Sequence, residues 1–156
     1  MFNKFISLFL IVFLNFYEVQ SRDFIDKGVY VIDLKSRVEW LKCSVGQQWN
    51  EVSCTGEAIK ISIEEAEKIK SQVGEELGGE WRLPNKQELN SLICKKCEGA
   101  KINKDIFPDT PAGLFWTSQR NWWSPKFFWS VNFFTGHTYG RFVPEKKLFV
   151  RFLRDR

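Results

Sequence analysis

The chain has 156 residues, and its 23 basic and 19 acidic side chains give a formal net charge of +4. A charge this small does not indicate a nucleic-acid-binding protein, although mild basicity weakly favours an acidic partner. Beyond the first 21 residues there is no Gly-X-Y repeat, proline-rich linker or low-complexity tract, which excludes fibrous and linker-like classes.

The amino terminus has the pattern of an export signal. Lys4 precedes an almost entirely apolar run at 5–17, and small or tolerated residues follow at 19–21. An uncleaved membrane anchor is the alternative, but this run is short beside the ~20 residues that a spanning helix needs. We therefore expect a signal at 1–21 and a single domain at 22–156. We expect that domain to be periplasmic or secreted, with no stable membrane span after cleavage.

Four cysteines in an exported chain predict two disulfides, because the compartment is oxidising. Of the three possible pairings, we favour Cys43 with Cys54 and Cys94 with Cys97, since neighbours in sequence meet most easily. Closure of the first loop would stabilise the fold by roughly 3 kcal/mol.

Two other interpretations of the cysteines stay open at this point. Cys94 and Cys97 have C-x-x-C spacing with lysines between them, and nearby positive charge lowers a thiol pKa, which is typical of a thiol-redox site. A zinc site built from all four cysteines would need a knuckle at the first pair, but ten residues separate Cys43 from Cys54.

The first half of the chain predicts two strands and a helix. Alternating β-branched and aromatic residues indicate strands at 28–34 and 38–43, followed by a polar, ordered loop at 46–56. Ser62 with Glu65 is a capping box, and apolar residues at helical spacing then continue until Gly78 and Gly79 end the helix.

A second helix is predicted after Trp81-Arg82-Leu83-Pro84. Asn85 and Glu88 repeat the capping pattern, and apolar residues continue the helical face as far as Ile93. We expect Trp81 to seal the core and Arg82 to pair with a backbone carbonyl or an acid.

The last third of the chain is aromatic and strand-like. Strands are predicted at 114–117, 127–134, 137–143 and 148–153, the last from a clear alternation of side chains. The expected fold class is α+β, with two helices, small antiparallel sheets and stabilising disulfides.

Five ordered motifs together resemble the Lcl C-terminal domain family, a bacterial family long catalogued as a domain of unknown function. The likeness runs from about Val29 to Arg154. The motifs are residues 40–49, Cys54-Thr55-Gly56, Trp81 to Pro84 with Glu88-Leu89, Phe115-Trp116-Thr117-Ser118, and Val150-Arg151. The resemblance implies a C-type-lectin-like fold and export. Some relatives are fused to collagen-like stalks in adhesins, but this chain has no Gly-X-Y repeat, so stalk trimerisation is not carried over.

The candidate binding residues lie around two adjacent tryptophans in a loop: Arg120, Trp122, Trp123, Lys126 and Arg141. Exposed indoles stack on sugar rings, and the cations would attract sulfate, carboxylate or phosphate groups. The alternative is structural, with Trp122 or Trp123 folded back as a lid on the core.

No other pattern predicts a catalytic, metal or cofactor site. His137 is the only histidine and lacks a nucleophile context. Leu83-Pro84-Asn85 has leucine where lectin-type calcium sites carry a carboxylate or amide. Basic residues near the carboxyl terminus would form either an anion-binding patch or a solvated, charge-guarded edge, with internal pairing open to Arg151. They are Lys146, Lys147, Arg151, Arg154 and Arg156.

The leading functional hypothesis is a non-catalytic exported domain that binds polysaccharide or another anionic envelope polymer. Its expected partner is a glycan or an envelope protein. The alternatives are an envelope thiol-redox protein that uses Cys94 and Cys97, and a structural subunit of an envelope assembly.

Overall fold

The computed structural model describes residues 23–156, so the predicted export signal lies outside the described residues. Within this part, no helix has the length and apolar character needed to cross a bilayer. Its elements follow in the order β1 (Phe24–Asp26), β2 (Tyr30–Asp33), β3 (Val38–Leu41), β4 (Gln48–Trp49), β5 (Cys54–Thr55), α1 (Ile63–Leu77), α2 (Lys86–Ser91), β6 (Leu114–Arg120), β7 (Phe128–Asn132), β8 (His137–Phe142) and β9 (Leu153–Asp155).

The first three strands and the last one form one antiparallel sheet with the order β1-β2-β3-β9. Trp40 on β3 lies opposite both Val31 on β2 and Leu153 on β9, and all three side chains are buried. The two predicted amino-terminal strands are confirmed as the β2–β3 hairpin, and the carboxyl terminus adds the fourth strand.

Helix α1 begins and ends where the sequence predicts. Ser62 accepts a hydrogen bond from the backbone of Glu65 while the Glu65 carboxylate accepts one from the Ser62 backbone, which forms the capping box. Gly78 ends the helix with a φ of 72°, a conformation that favours glycine. Ala66 is its one fully buried residue, so its apolar stripe is only half covered.

Helix α2 is shorter than predicted. Asn85 and Glu88 form the expected capping box, but the helix stops at Ser91, and Ile93 instead forms a β-bridge with Ile102. The apolar spacing is therefore correct for burial, while the backbone after Ser91 pairs with a later segment.

The second main sheet has the order β6-β7-β8 and separates two apolar clusters. Neighbouring residues on β6 point to opposite faces, so Phe115 joins the cluster around Val131 and Phe133 while Trp116 joins the one around Phe128. Both faces of this sheet are thus partly covered, which explains the aromatic density of the segment.

The prediction of one continuous strand at 148–153 is wrong, because this segment does not pair with a single neighbouring strand. Leu148 bridges Ile61, Phe149 bridges Phe115 in parallel, and only Leu153 begins the regular strand β9. The alternation correctly indicates extended, buried backbone, but each residue pairs with a different segment as the chain passes between the sheets. Two further strand features were not predicted: β1, and the β4–β5 hairpin inside the loop at 46–56.

Candidate functional site

The loop at residues 121–127, called here the tryptophan loop, joins β6 to β7 and is fastened to the sheet by Asn121. The buried Asn121 side chain donates from Nδ2 to the Gly140 carbonyl at 2.8 Å and accepts from the Trp123 backbone at 3.0 Å. The Asn121 amide donates to the Phe127 carbonyl at 2.8 Å, which closes the loop. The backbone of the tryptophan loop is therefore ordered by its own hydrogen bonds.

Both tryptophans of this loop point into solvent. Trp122 is 71% and Trp123 is 72% exposed, and their rings stack with centroids 4.1 Å apart and an interplanar angle of 29°. The interpretation of either indole as a lid on the core is therefore wrong, because neither ring is buried against it. Each indole gives one face to the other and leaves its outer face uncovered.

Two predicted cations, Arg120 and Lys126, are close to the indoles in sequence and have contacts of their own. Arg120 donates from Nη1 to the Pro125 carbonyl at 2.8 Å, and its guanidinium lies 4.5 Å from the Phe128 ring centroid. The Lys126 ammonium lies 5.0 Å from the Phe127 ring. Because these contacts hold the cations without neutralising them, both charges remain available to an anion.

A third cation, Lys86, was not predicted from the sequence. Its ammonium lies 4.1 Å over the Trp129 ring, and its backbone amide donates to the Gln119 side chain at 3.3 Å. The Trp129 ring in turn covers Gly140, where a Cβ would come within 2.9 Å of it. Lys86 comes from α2, far from β6 and β7 in sequence, so only the folded chain brings it beside Trp129 and Gln119.

The electrostatics of this region are one-sided. The sequence has no aspartate or glutamate from Thr110 to Pro144. Among the described residues, none of the cations Lys86, Arg120 and Lys126 forms a salt bridge. Arg141 is exposed on β8, next to Gly140, and makes no side-chain hydrogen bond within residues 23–156. The tryptophan loop thus lies in a chain segment that carries positive side chains and no negative ones.

The Trp81-Arg82 pair has the structural role that the sequence predicts. Trp81 is 3% exposed and donates from Nε1 to the Gly78 carbonyl at 3.0 Å. Arg82 donates two hydrogen bonds to Glu88, at 2.8 and 2.9 Å, and two to Asp155, at 2.6 and 3.2 Å. These bonds raise the pKa of Arg82, and the pair links α2 to β9.

Arg151 is fully buried and has no carboxylate partner. Its guanidinium donates to the carbonyls of Leu41, at 2.8 Å, and Lys42, and to the hydroxyls of Ser44, at 3.3 Å, and Thr110, at 2.6 Å. Burial lowers the pKa of Arg151 to about 9, so it stays charged at neutral pH. Arg151 therefore joins three chain segments and is inaccessible to any ligand.

Of the two alternatives for the carboxyl-terminal basic residues, the anion-binding patch does not form as a unit. Besides the buried Arg151, Arg154 donates to Glu39 at 2.6 Å, and Lys147 forms an ion pair with Glu65 at 3.0 Å. Three of the five basic side chains, Lys147, Arg151 and Arg154, therefore already have partners within the protein.

All four cysteines are in disulfides, Cys43 with Cys54 and Cys94 with Cys97, with Cα atoms 5.4 Å apart in each. A four-cysteine zinc site is therefore incompatible with the structure. The Cys94–Cys97 disulfide lies in a turn that follows α2, and the two lysines between its cysteines are exposed.

No other constellation within residues 23–156 gathers metal-binding side chains, since no group of three or more histidine, cysteine, aspartate or glutamate residues is placed to hold an ion there. His137 is exposed at the start of β8. Of the binding residues predicted from the sequence, Trp122, Trp123 and Lys126 lie in the tryptophan loop and Arg120 directly precedes it. Arg141 follows Gly140, whose carbonyl accepts a hydrogen bond from Asn121.

Comparison with known proteins agrees with the motifs. No curated protein and no solved structure matches the chain significantly. The family model of the Lcl C-terminal domain matches residues 29–154, which is most of the sequence. The chain belongs to the Lcl C-terminal domain family.

Proposed function

We propose that the chain is an exported, non-catalytic binding domain that recognises an anionic polysaccharide, or another anionic polymer of the cell envelope, through the tryptophan loop. The observation that carries this proposal is the stacked Trp122–Trp123 pair, more than 70% exposed in a chain segment that has cations and no acid. Two such indoles are costly to leave in water unless they contact a partner.

The chemistry of the loop suits a charged sugar chain. The outer faces of the stacked indoles accept the apolar C–H face of a sugar ring, as aromatic side chains commonly do. Arg120 donates to the Pro125 carbonyl of the same loop, Lys126 lies over the Phe127 ring, and both would pair with carboxylate or sulfate groups on adjacent units. A rigid sheet that presents a short loop is a common arrangement for binding.

The fold and location belong to the same proposal. Two helices, small antiparallel sheets and two disulfides fit an α+β class, and we propose in addition that the topology is C-type-lectin-like and that the domain acts in the periplasm or outside the cell. The paired disulfides support an oxidising compartment.

Chromatography on immobilised heparin, a sulfated polysaccharide, tests the proposal. We expect the disulfide-intact protein to be retained at low salt and released by added salt, since screening weakens exposed charge contacts. The double variant Trp122→Ala/Trp123→Ala should elute much earlier.

A matched control removes an exposed aromatic elsewhere. Phe134 is 67% exposed in the β7–β8 turn, at the opposite end of the sheet from the tryptophan loop, so Phe134→Ala should bind heparin like the parent. Failure of the parent to bind heparin or any anionic glycan on an array would contradict the proposal, and so would equal retention of the double variant.

A further inference from the structure

The two disulfides differ in how far the protein covers them. Cys43 is 9% and Cys54 is 4% exposed, and the Cys54 amide also donates to the Asp109 carboxylate at 3.1 Å. Cys94 and Cys97 are both only partly buried, and two residues separate them. A disulfide reacts only where a thiolate can reach one of its sulfurs, so the Cys94–Cys97 bridge is the more accessible of the two.

The segment that carries this bridge, residues 94–101, is called here the cysteine turn, and other contacts hold it in place. The Cys94 amide donates to the Lys101 carbonyl at 2.9 Å, which closes the turn. Next to this contact Ile93 forms a β-bridge with the fully buried Ile102. A disulfide between residues three apart also constrains the unfolded chain less than one between residues eleven apart. The backbone of the turn therefore stays anchored when its disulfide opens.

The cysteine turn is rich in lysine. Lys95 and Lys96 lie between the two cysteines and are exposed, and the Lys101 ammonium donates to the Cys97 carbonyl at 2.8 Å. Glu98 is the single acid of the turn, and none of the three lysines forms a salt bridge within the described residues. Positive charge stabilises a thiolate, which is the group that leaves when a disulfide is opened.

We propose that Cys94 and Cys97 form a thiol–disulfide exchange site that accepts two electrons from a dithiol of a partner protein. One substrate thiolate attacks a sulfur of the bridge, forms an intermolecular disulfide and releases the other cysteine as a thiolate. The second substrate thiolate then attacks the intermolecular disulfide, so the substrate leaves with its own disulfide. The two protons lost by the substrate thiols pass through water to the two released cysteine thiolates.

This exchange is stoichiometric, one bridge for one substrate dithiol, and goes beyond the glycan binding proposed above. It uses the turn after α2, whereas the tryptophan loop joins β6 to β7 and contains no cysteine. The variant Cys94→Ser/Cys97→Ser should therefore keep parent-like retention on heparin. That result separates failure of the exchange site from failure of the glycan proposal.

Equilibration of the disulfide-intact protein with mixtures of reduced and oxidised dithiothreitol tests which bridge opens. Alkylation followed by peptide mass spectrometry identifies the reduced pair. Cys94–Cys97 should open at a ratio of reduced to oxidised reagent at least about tenfold lower than Cys43–Cys54, which serves as the internal control. The near-UV circular dichroism of the selectively reduced protein should resemble that of the parent, because the contacts that anchor the turn remain.

A synthetic peptide with two reduced cysteines tests the transfer itself. Each protein molecule should oxidise one peptide, and Cys94→Ser/Cys97→Ser should oxidise none. Opening of both bridges at one ratio, loss of the fold when Cys94–Cys97 alone is reduced, or a peptide that the parent leaves reduced would each overturn the inference. Equal oxidation of the peptide by the double serine variant would do the same.

Charge variants test the role of the lysines. Lys95→Gln/Lys96→Gln should slow oxidation of the peptide about three- to tenfold, because two exposed charges near a developing thiolate are removed. Lys146→Gln/Lys147→Gln makes the same change at two adjacent exposed lysines outside the cysteine turn, and should react like the parent. Equal rates for the two variants would contradict stabilisation of the leaving thiolate by the lysines.

Discussion

The Trp81-Arg82 pair and the tryptophan loop use the same residue types for opposite purposes. Trp81 is 3% exposed and Arg82 makes four hydrogen bonds to two carboxylates, whereas Trp122 and Trp123 are more than 70% exposed and Arg120 contacts only a carbonyl and a ring. A tryptophan close to an arginine in the sequence therefore does not show by itself whether the two residues are structural or bind a ligand. The partners available in the fold decide whether the pair stabilises the structure or faces a ligand.

The difference also separates two kinds of evidence. Trp81 helps to identify the family because it is needed for the core, and its indole N–H and its neighbour's guanidinium are already satisfied. The outer faces of Trp122 and Trp123 have no contact that explains them. The exposed faces of Trp122 and Trp123 are therefore the better candidates for a binding function.

The largest expected effect comes from removal of the buried indole. Trp81→Ala should lower the free energy of unfolding by about 3–5 kcal/mol, because it leaves a cavity beneath Arg154, whose guanidinium lies 4.7 Å from the ring. Urea unfolding with both disulfides intact measures the loss. Trp122→Ala should change the same quantity by no more than about 0.5 kcal/mol. Equal losses of unfolding free energy for Trp81→Ala and Trp122→Ala would contradict the distinction between a structural and an exposed tryptophan.

A smaller effect is expected when the buried guanidinium becomes an ammonium. Arg151→Lys keeps the charge but loses the planar fork that reaches carbonyls and hydroxyls on two other segments, so we expect a loss of about 1–3 kcal/mol. Arg120→Lys, at an exposed position, is the matched control and should be nearly neutral in urea unfolding. A parent-like Arg151→Lys would show that the fork is dispensable.

The smallest expected effect is a change in how the stability of the protein depends on acidic pH. Desolvation raises the pKa of Glu88, but hydrogen bonds from Arg82 and the Asn85 backbone outweigh it, so the pKa is below its ordinary value of 4.5. The hydrogen bond from Arg82 likewise holds the pKa of Asp155 below 3.8. Groups with lowered folded-state pKa values stabilise the protein above their unfolded pKa values, and this stabilisation is lost as the pH falls through the folded-state values.

Arg82→Met should therefore cost about 1 kcal/mol at pH 6, and the difference from the parent should shrink at pH 3. Thermal unfolding at the two pH values measures it. Lys68→Met breaks an exposed pair with Glu64 and serves as the control, with an effect near zero at both. A cost for Arg82→Met that does not change with pH would show that the guanidinium acts by packing alone.

Local chemistry explains which parts of the fold the sequence predicts correctly. The two capping boxes, Gly78, and the β2–β3 hairpin depend on residues close in sequence, and all appear in the structure. The strand at 148–153 fails because alternation indicates extended backbone but carries no information on partners, and here the partners are Ile61, Phe115 and Arg82 in turn. Helix α2 ends early for the same reason, since Ile93 pairs with the distant Ile102.

The sequence by itself determined the family, the α+β class, the cysteine pairs that lie close along the chain and the residues of the tryptophan loop. These follow from composition, spacing and short-range motifs. Only the tertiary structure decided that both indoles are exposed, that Lys86 lies over the Trp129 ring, and that Arg151 is buried instead of forming a basic patch. Exposure and charge pairing depend on which segments, distant in sequence, pack against a residue in the folded chain. A local pattern of residues carries no information on that packing.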